Sequence, residues 1–155
     1  MLGIISILFF AVFLFVYLNF FFGKYIEEVV LEENVLISSQ WKNINTQNLV
    51  KADKEINYIS ILLAAPFETD TPKGGIKNTD GKIINPEIKL IDENGKEYLL
   101  NYSGSRYYEN GDYANYRYAT TLPTGKIYEK VLVRSDFPIN ARKIIWSSYD
   151  ANDLK

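Results

Sequence analysis

The chain is 155 residues long with a formal net charge of -2, seventeen Lys and Arg against nineteen Asp and Glu, which leaves room for one ordinary domain and no basic surplus. No run of Lys or Arg could neutralise several phosphates in succession, so nucleic acid is not expected as a partner. With neither Cys nor His, there is no thiol or imidazole nucleophile or base, no Ser-His-Asp triad and no usual transition-metal site, and no metal or cofactor is expected.

The first element is LGIISILFFAVFLFVYLNFFF, Leu2 to Phe22, twenty-one residues without a charge that hold seven of the nine Phe residues. At roughly 1.5 Å per residue a helix of that length spans about 30 Å, the hydrocarbon thickness of a bilayer. A cleaved signal peptide would carry a basic start and small residues at its end, whereas this segment has no basic residue before it and ends in three Phe. A buried core helix would show a polar face. Residues 1–23 are therefore expected to be a transmembrane anchor of the uncleaved, single-pass kind, with the lipid bilayer as partner through residues 2–22. Orientation rests on little. Lys24 alone, taken by the positive-inside rule, puts the rest of the chain in the cytoplasm. The opposite expectation, an extracytoplasmic domain, follows from the usual placement of small N-terminally anchored β-domains, and is the one adopted.

Residues 24–48 form a juxtamembrane segment whose period does not decide between helix and strand: Ile26, Val29 and Val30 could extend the anchor helix, while Val35, Leu36 and Ile37 could open a strand. Residues 49–155 are expected to form an antiparallel β-sandwich, jelly-roll or Ig-like. EINYISILLAAP reads as a central strand stopped by Pro66. Residues 66–82 concentrate Pro, Gly and Asp and read as a long loop or irregular hairpin. PEIKLID and KEYLLNY flank Asn94-Gly95, the strongest short-range hairpin signal, which predicts a type I′ turn. Further strands are expected in YANYRYATT, KIYEKVLVR and ARKIIWSSYD. Alternation marks Ile88, Leu90, Ile127, Val131, Val133, Ile144 and Trp146 as core.

Residues 103–118, SGSRYYENGDYANYRY, carry five Tyr and two Arg around two glycines. Tyr and Arg offer broad area and hydrogen-bonding tips at low entropic cost, so Arg106, Tyr107, Tyr108, Tyr113, Tyr116 and Arg117 form the candidate ligand-binding set, read as a loop. The competing reading has alternate tyrosines such as Tyr116 and Tyr118 facing the core. Asp92-Glu93-Asn94-Gly95 and Asn78-Thr79-Asp80-Gly81 lack the spacing of a calcium loop and read as turns. Glu68, Asp70, Asp80 and Asp112 show no spacing that demands a catalytic carboxylate pair; no catalytic residue is expected. Asn101-Tyr102-Ser103 matches a glycosylation sequon. The function these features suggest is a membrane-anchored, non-catalytic module that binds a protein, or as a lesser alternative a glycan, at the cell envelope. A structural or accessory subunit of a membrane complex is the rival expectation.

Overall fold

In the computed structural model, residues 27–44, 50–64, 68–70, 75–77, 81–107 and 113–150 are described. They contain strands and no helix: β1 (Glu27–Ile37), β2 (Lys42–Ile44), β3 (Val50–Lys51), β4 (Ile56–Ala64), β5 (Glu68–Asp70), β6 (Gly75–Lys77), β7 (Ile83–Ile84), β8 (Pro86–Asp92), β9 (Glu97–Tyr107), β10 (Tyr113–Ala119), β11 (Ile127–Ser135) and β12 (Ile139–Tyr149). The expected membrane span falls outside these residues. Among the described residues no helix is long and apolar enough to cross a membrane.

Nine strands join one antiparallel sheet in the order β1-β12-β4-β10-β9-β8-β11-β2, with β3 also on β11. The antiparallel β expectation is met, but the sheet is continuous and curls into a nearly closed barrel. The strand responsible is β9. Its first residues pair with β8, Leu100 opposite Ile88, and its later ones with β10, Ala114 opposite Tyr107. Between them Ser103 is an extra residue in the β9–β10 ladder, and the adjoining Gly104 takes a φ of 144°, which a side chain would resist.

The ends of the path, β1 and β2, are consecutive in sequence and run in opposite directions. The seam between them is bridged by Lys42 Nζ to Glu32 Oε1 at 2.8 Å. Trp41, in the turn that joins them, lies under Lys89 at 4.8 Å and Arg134 at 4.7 Å. The same turn is held to the end of β11, where the Ser135 N–H donates to the Ser38 carbonyl at 2.8 Å. The undecided segment 24–48 thus supplies two strands, and β1 pairs with β12 from Glu27 opposite Ser148 to Ile37 opposite Ile139.

The core lines the inside of the barrel. Ile59, Ile61 and Leu63 of β4 are fully buried, together with Ile88, Leu90, Val131, Val133 and Ile144, and Trp146 nearly so. Burying such side chains at about 25 cal/mol per Å² is the main force closing the sheet. Ile127, expected in the core, is only half-buried, and Tyr128, on the opposite face by simple alternation, is fully buried. The cause is a bulge: Tyr128 sits opposite Asp92 and Lys130 opposite Ile91, so Glu129 is an extra residue that reverses the parity of β11. Similar bulges occur at Leu31 in β1 and Arg142 in β12. The long loop expected over 66–82 carries a small second sheet, β5-β6-β7, whose Ile76 and Ile84 are buried in the same core.

The Asn94-Gly95 hairpin is present, with a different turn. Asn34 is the only described non-glycine residue with positive φ, so Asn94 does not adopt the left-handed conformation that type I′ requires. Instead the Gly95 N–H donates to the Asp92 carbonyl at 2.9 Å and the Asp92 N–H to the Lys96 carbonyl at 3.0 Å, with Gly95 alone at φ 76°. This is a type I turn closed by a glycine bulge.

Candidate functional site

The Tyr-rich segment read as a loop is mostly paired strand. Tyr107, Arg106, Ser105 and Gly104 of β9 stand opposite Ala114, Asn115, Tyr116 and Arg117 of β10. Tyr108 lies outside the described residues, while Arg106, Tyr107 and Tyr113 are placed by register at the end of the hairpin that leads into 108–112. The candidate set is divided by the pleat. Tyr116 is fully buried inside the barrel, with Tyr118 beside it at 2% exposure, as the core reading of these tyrosines expects.

Inside, tyrosines pack edge to face: Tyr102 against Tyr118 with ring centres 5.9 Å apart, and Tyr98 against Tyr128 at 5.5 Å. The hydroxyls of Tyr118 and Tyr128 are buried and have no hydrogen-bond partner among the described residues. Burial, with Tyr102 and Tyr116 adjoining, pushes the Tyr118 phenol far above its ordinary range. Burial with Tyr98 and Asp92 nearby pushes Tyr128 up to about 12. Both rings are neutral at any ordinary pH.

Arg117 projects from the other side of β10 and is half-buried. Its guanidinium carbon lies 4.9 Å from the centre of the Tyr58 ring, and Tyr58 meets Tyr149 edge to face at 5.7 Å. The three residues come from adjacent strands, with Arg117 opposite Ser60 on β4 and Tyr58 opposite Ser147 on β12. Arg117 Nε and Ser147 Oγ are buried without a hydrogen-bond partner among the described residues. The contacts of Arg117 with Tyr58 and of Tyr58 with Tyr149 are not legible in the sequence, because only the β10-β4-β12 order brings the three strands together.

The acid that the fold uses most heavily is Asp92, and its setting is a turn. Its carboxylate accepts from the Asn94 N–H at 2.9 Å, the Lys96 N–H at 3.0 Å and Lys126 Nζ at 3.1 Å, with the Tyr98 hydroxyl at 3.4 Å. Its side chain is 1% exposed. Burial alone would raise its pKa, but the bonds from Lys126, Lys96 and Asn94 outweigh that and hold the carboxyl below its ordinary value. The hydrogen bond to Asp92 correspondingly raises Lys126, against the opposing effect of burial. Glu68 and Asp70 lie on the small sheet, and Asp80 and Asp112 fall outside the described residues. Among the described residues no three acids group so as to hold a metal ion. Asn101 of the sequon is exposed on β9.

Compared with known protein families, with curated proteins and with solved structures, the chain matches none. Function has to be argued from the geometry.

Proposed function

We propose that the chain is a membrane-tethered, non-catalytic recognition module: residues 2–22 cross the bilayer as a single helix, and the β-domain, sandwich-like in its two facing halves, holds a protein-binding end away from it on the extracytoplasmic side. One observation carries the reading. The uncharged stretch ends at Phe22, and β1 begins at Glu27, so the start of β1 is tethered within about 17 Å of the anchor even if the connection is fully extended.

With that tether, the strand directions support a near and a far end of the barrel. Tyr107 stands opposite Ala114, Ala114 opposite Leu63, Leu63 opposite Ala141 and Ala141 opposite Val35, which is about 25 Å further along the sheet than Glu27. Tyr113 pairs with Ala64 at the same end. Arg106, Tyr107 and Tyr113, with Tyr108 in the connection, are thus the members of the candidate set at that end of the sheet, Tyr107 standing opposite the buried Ala114. Tyr116 serves the core, and Arg117 belongs to the lower half of the outer face.

A photo-crosslinking residue placed at Arg106 in the full membrane-inserted chain tests this, with one at Leu99, near the other end of the same strand, as control. A discrete adduct from position 106 alone is expected, abolished by Tyr108→Ala with Tyr113→Ala while the melting temperature holds. Equal labelling from both positions, or a collapse in melting temperature in the double variant, defeats the reading. A reporter active only outside the cytoplasm, fused after Lys155, tests the side.

A further inference from the structure

We infer that an open recess between β1 and β12 takes a carboxylate side chain of the protein partner. The inference deepens the recognition-module reading and rests on it. The recess has a volume of about 540 Å³ and is lined by Asn34, Asn140, Ala141 and Arg142. Two irregularities meet there. Glu33 stands opposite Lys143 and Val35 opposite Ala141, and at the level between them Asn34 turns into the left-handed region, at φ 53°, across from Arg142. Arg142 is itself an extra residue against β4, where Ala141 faces Leu63 and Lys143 faces Leu62. Ala141 is buried, and Asn34, Asn140 and Arg142 are exposed around it.

The donors suit one kind of ligand. Arg142 is charged at any ordinary pH and carries five N–H donors in a planar fork, enough for more than one acceptor. Asn34 and Asn140 each add a carboxamide NH2. Beside them Lys143 is paired with Glu33 at 2.9 Å, so Arg142 gives the recess a single positive charge. A monoanionic carboxylate matches both that charge and the geometry of the fork, whereas a phosphate dianion would lie near Glu33 with one cation too few. Leu36, 55% exposed and opposite Asn140, offers apolar surface to the methylenes of an acidic side chain. Position ties the recess to the far end of the barrel. Ala141 shares its row with Leu63, Ala114 and Tyr107, so Arg142 lies one residue from the level of the candidate set and three strand spacings from it, about 14 Å along the sheet. A partner that caps this end over about 800 Å² reaches both.

The test is a titration of the full chain, nitrogen-15 labelled in detergent micelles, with a blocked Gly-Glu-Gly tripeptide, its Gly-Gln-Gly counterpart and inorganic phosphate. Saturable shifts of the Asn34 and Asn140 side-chain NH2 resonances are expected with the Glu peptide and not with the Gln peptide. Binding should weaken about tenfold in Arg142→Gln and by a smaller factor in Asn34→Gly, which keeps the left-handed backbone and removes only the carboxamide, with melting temperatures unchanged. No saturable shift, an equal response to the Gln peptide, or tighter binding of phosphate than of the Glu peptide overturns the inference. The adduct formed from position 106 should also fall in Arg142→Gln, and an adduct at wild-type strength in that variant overturns the assignment of the recess to the partner. Absence of any adduct from position 106 in the wild-type chain would instead remove the recognition-module reading, while the titration judges carboxylate binding by itself.

Discussion

On the outer face of β8 and β11, Arg134 clasps Glu87 at 2.7 Å, Lys89 reaches Glu97 at 2.7 Å, and both cations lie over Trp41. On the outer face of β12, β4 and β10 the residues at equivalent positions are Ile145, Ser147, Tyr58, Ser60 and Leu62, and the Arg117 guanidinium rests on the Tyr58 ring with no acid paired to it among the described residues. Both faces cover one core, so they can be compared residue for residue: one satisfies its charges across the surface, and the other buries Tyr58, Ser60 and Ser147. Three substitutions sharpen the contrast, and they are ordered here by the size of effect.

The largest effect belongs to Asp92→Asn at the end of the charged half. The substitution removes the negative charge opposite Lys126 and, with the amide oxygen kept on the Asn94 and Lys96 N–H groups, turns a donor towards the Lys126 ammonium, and the melting temperature is expected to fall by about 10 °C. The pH dependence identifies the cause. A carboxyl whose folded pKa lies below its unfolded value contributes its stability above the unfolded value and loses it as pH falls through the folded one. The gap between wild type and Asp92→Asn should therefore be constant near neutrality and close below about pH 4. At the alkaline end Lys126, raised in the folded state, contributes below its unfolded pKa of 10.5 and loses that contribution as pH rises through the higher folded value. Thermal melts from pH 2 to 12 check both ends, and a gap that persists unchanged at pH 2 contradicts the assignment.

Trp41→Ala comes second, with an expected loss of about 2 kcal/mol from two cation–π contacts and the packing of the Lys and Arg stems. Denaturant midpoints measure the total. Hydrogen exchange locates it, because the seam depends on this turn: faster exchange is expected at Ser135, whose N–H is held by Ser38, with no change across β12 and β4. A uniform increase over the sheet would mean that Trp41 supports the whole core and that the two faces are not independent.

Local rules of sequence account for much of this fold and for little of its surface. Alternation in PEIKLID marked Ile88 and Leu90 correctly because β8 has no bulge along those residues. The same rule misassigned Tyr128, since one extra residue at Glu129 reverses the parity and no residue type announces it. In β1 the bulge at Leu31 and the left-handed Asn34, at φ 53°, break the period that would have told strand from helix. Asn94-Gly95 located its hairpin, but the side chain of Asp92 accepts from the Asn94 and Lys96 N–H groups and favours the type I turn with Gly95 as the bulge. The Tyr-rich segment stood out by composition, yet which tyrosines face inward depends on the bulge at Ser103 and on partners in β4. Arg117 meets Tyr58, and Tyr58 meets Tyr149, through strand order, a property that the intervening residues do not encode one by one.

The smallest effect is the one that separates the two faces most cleanly. Ser147 is 1% exposed on the outer face, and its hydroxyl has no hydrogen-bond partner among the described residues. A buried donor without a partner has paid its desolvation and gained nothing, so Ser147→Ala should be neutral or stabilise the protein by up to about 1 kcal/mol. On the charged face the corresponding truncations leave an ion without its partner and can only cost. Denaturant midpoints make the comparison. A loss of more than about 1 kcal/mol would give Ser147 a partner within the chain, and this face would then be as self-satisfied as the one that carries Arg134 and Glu87.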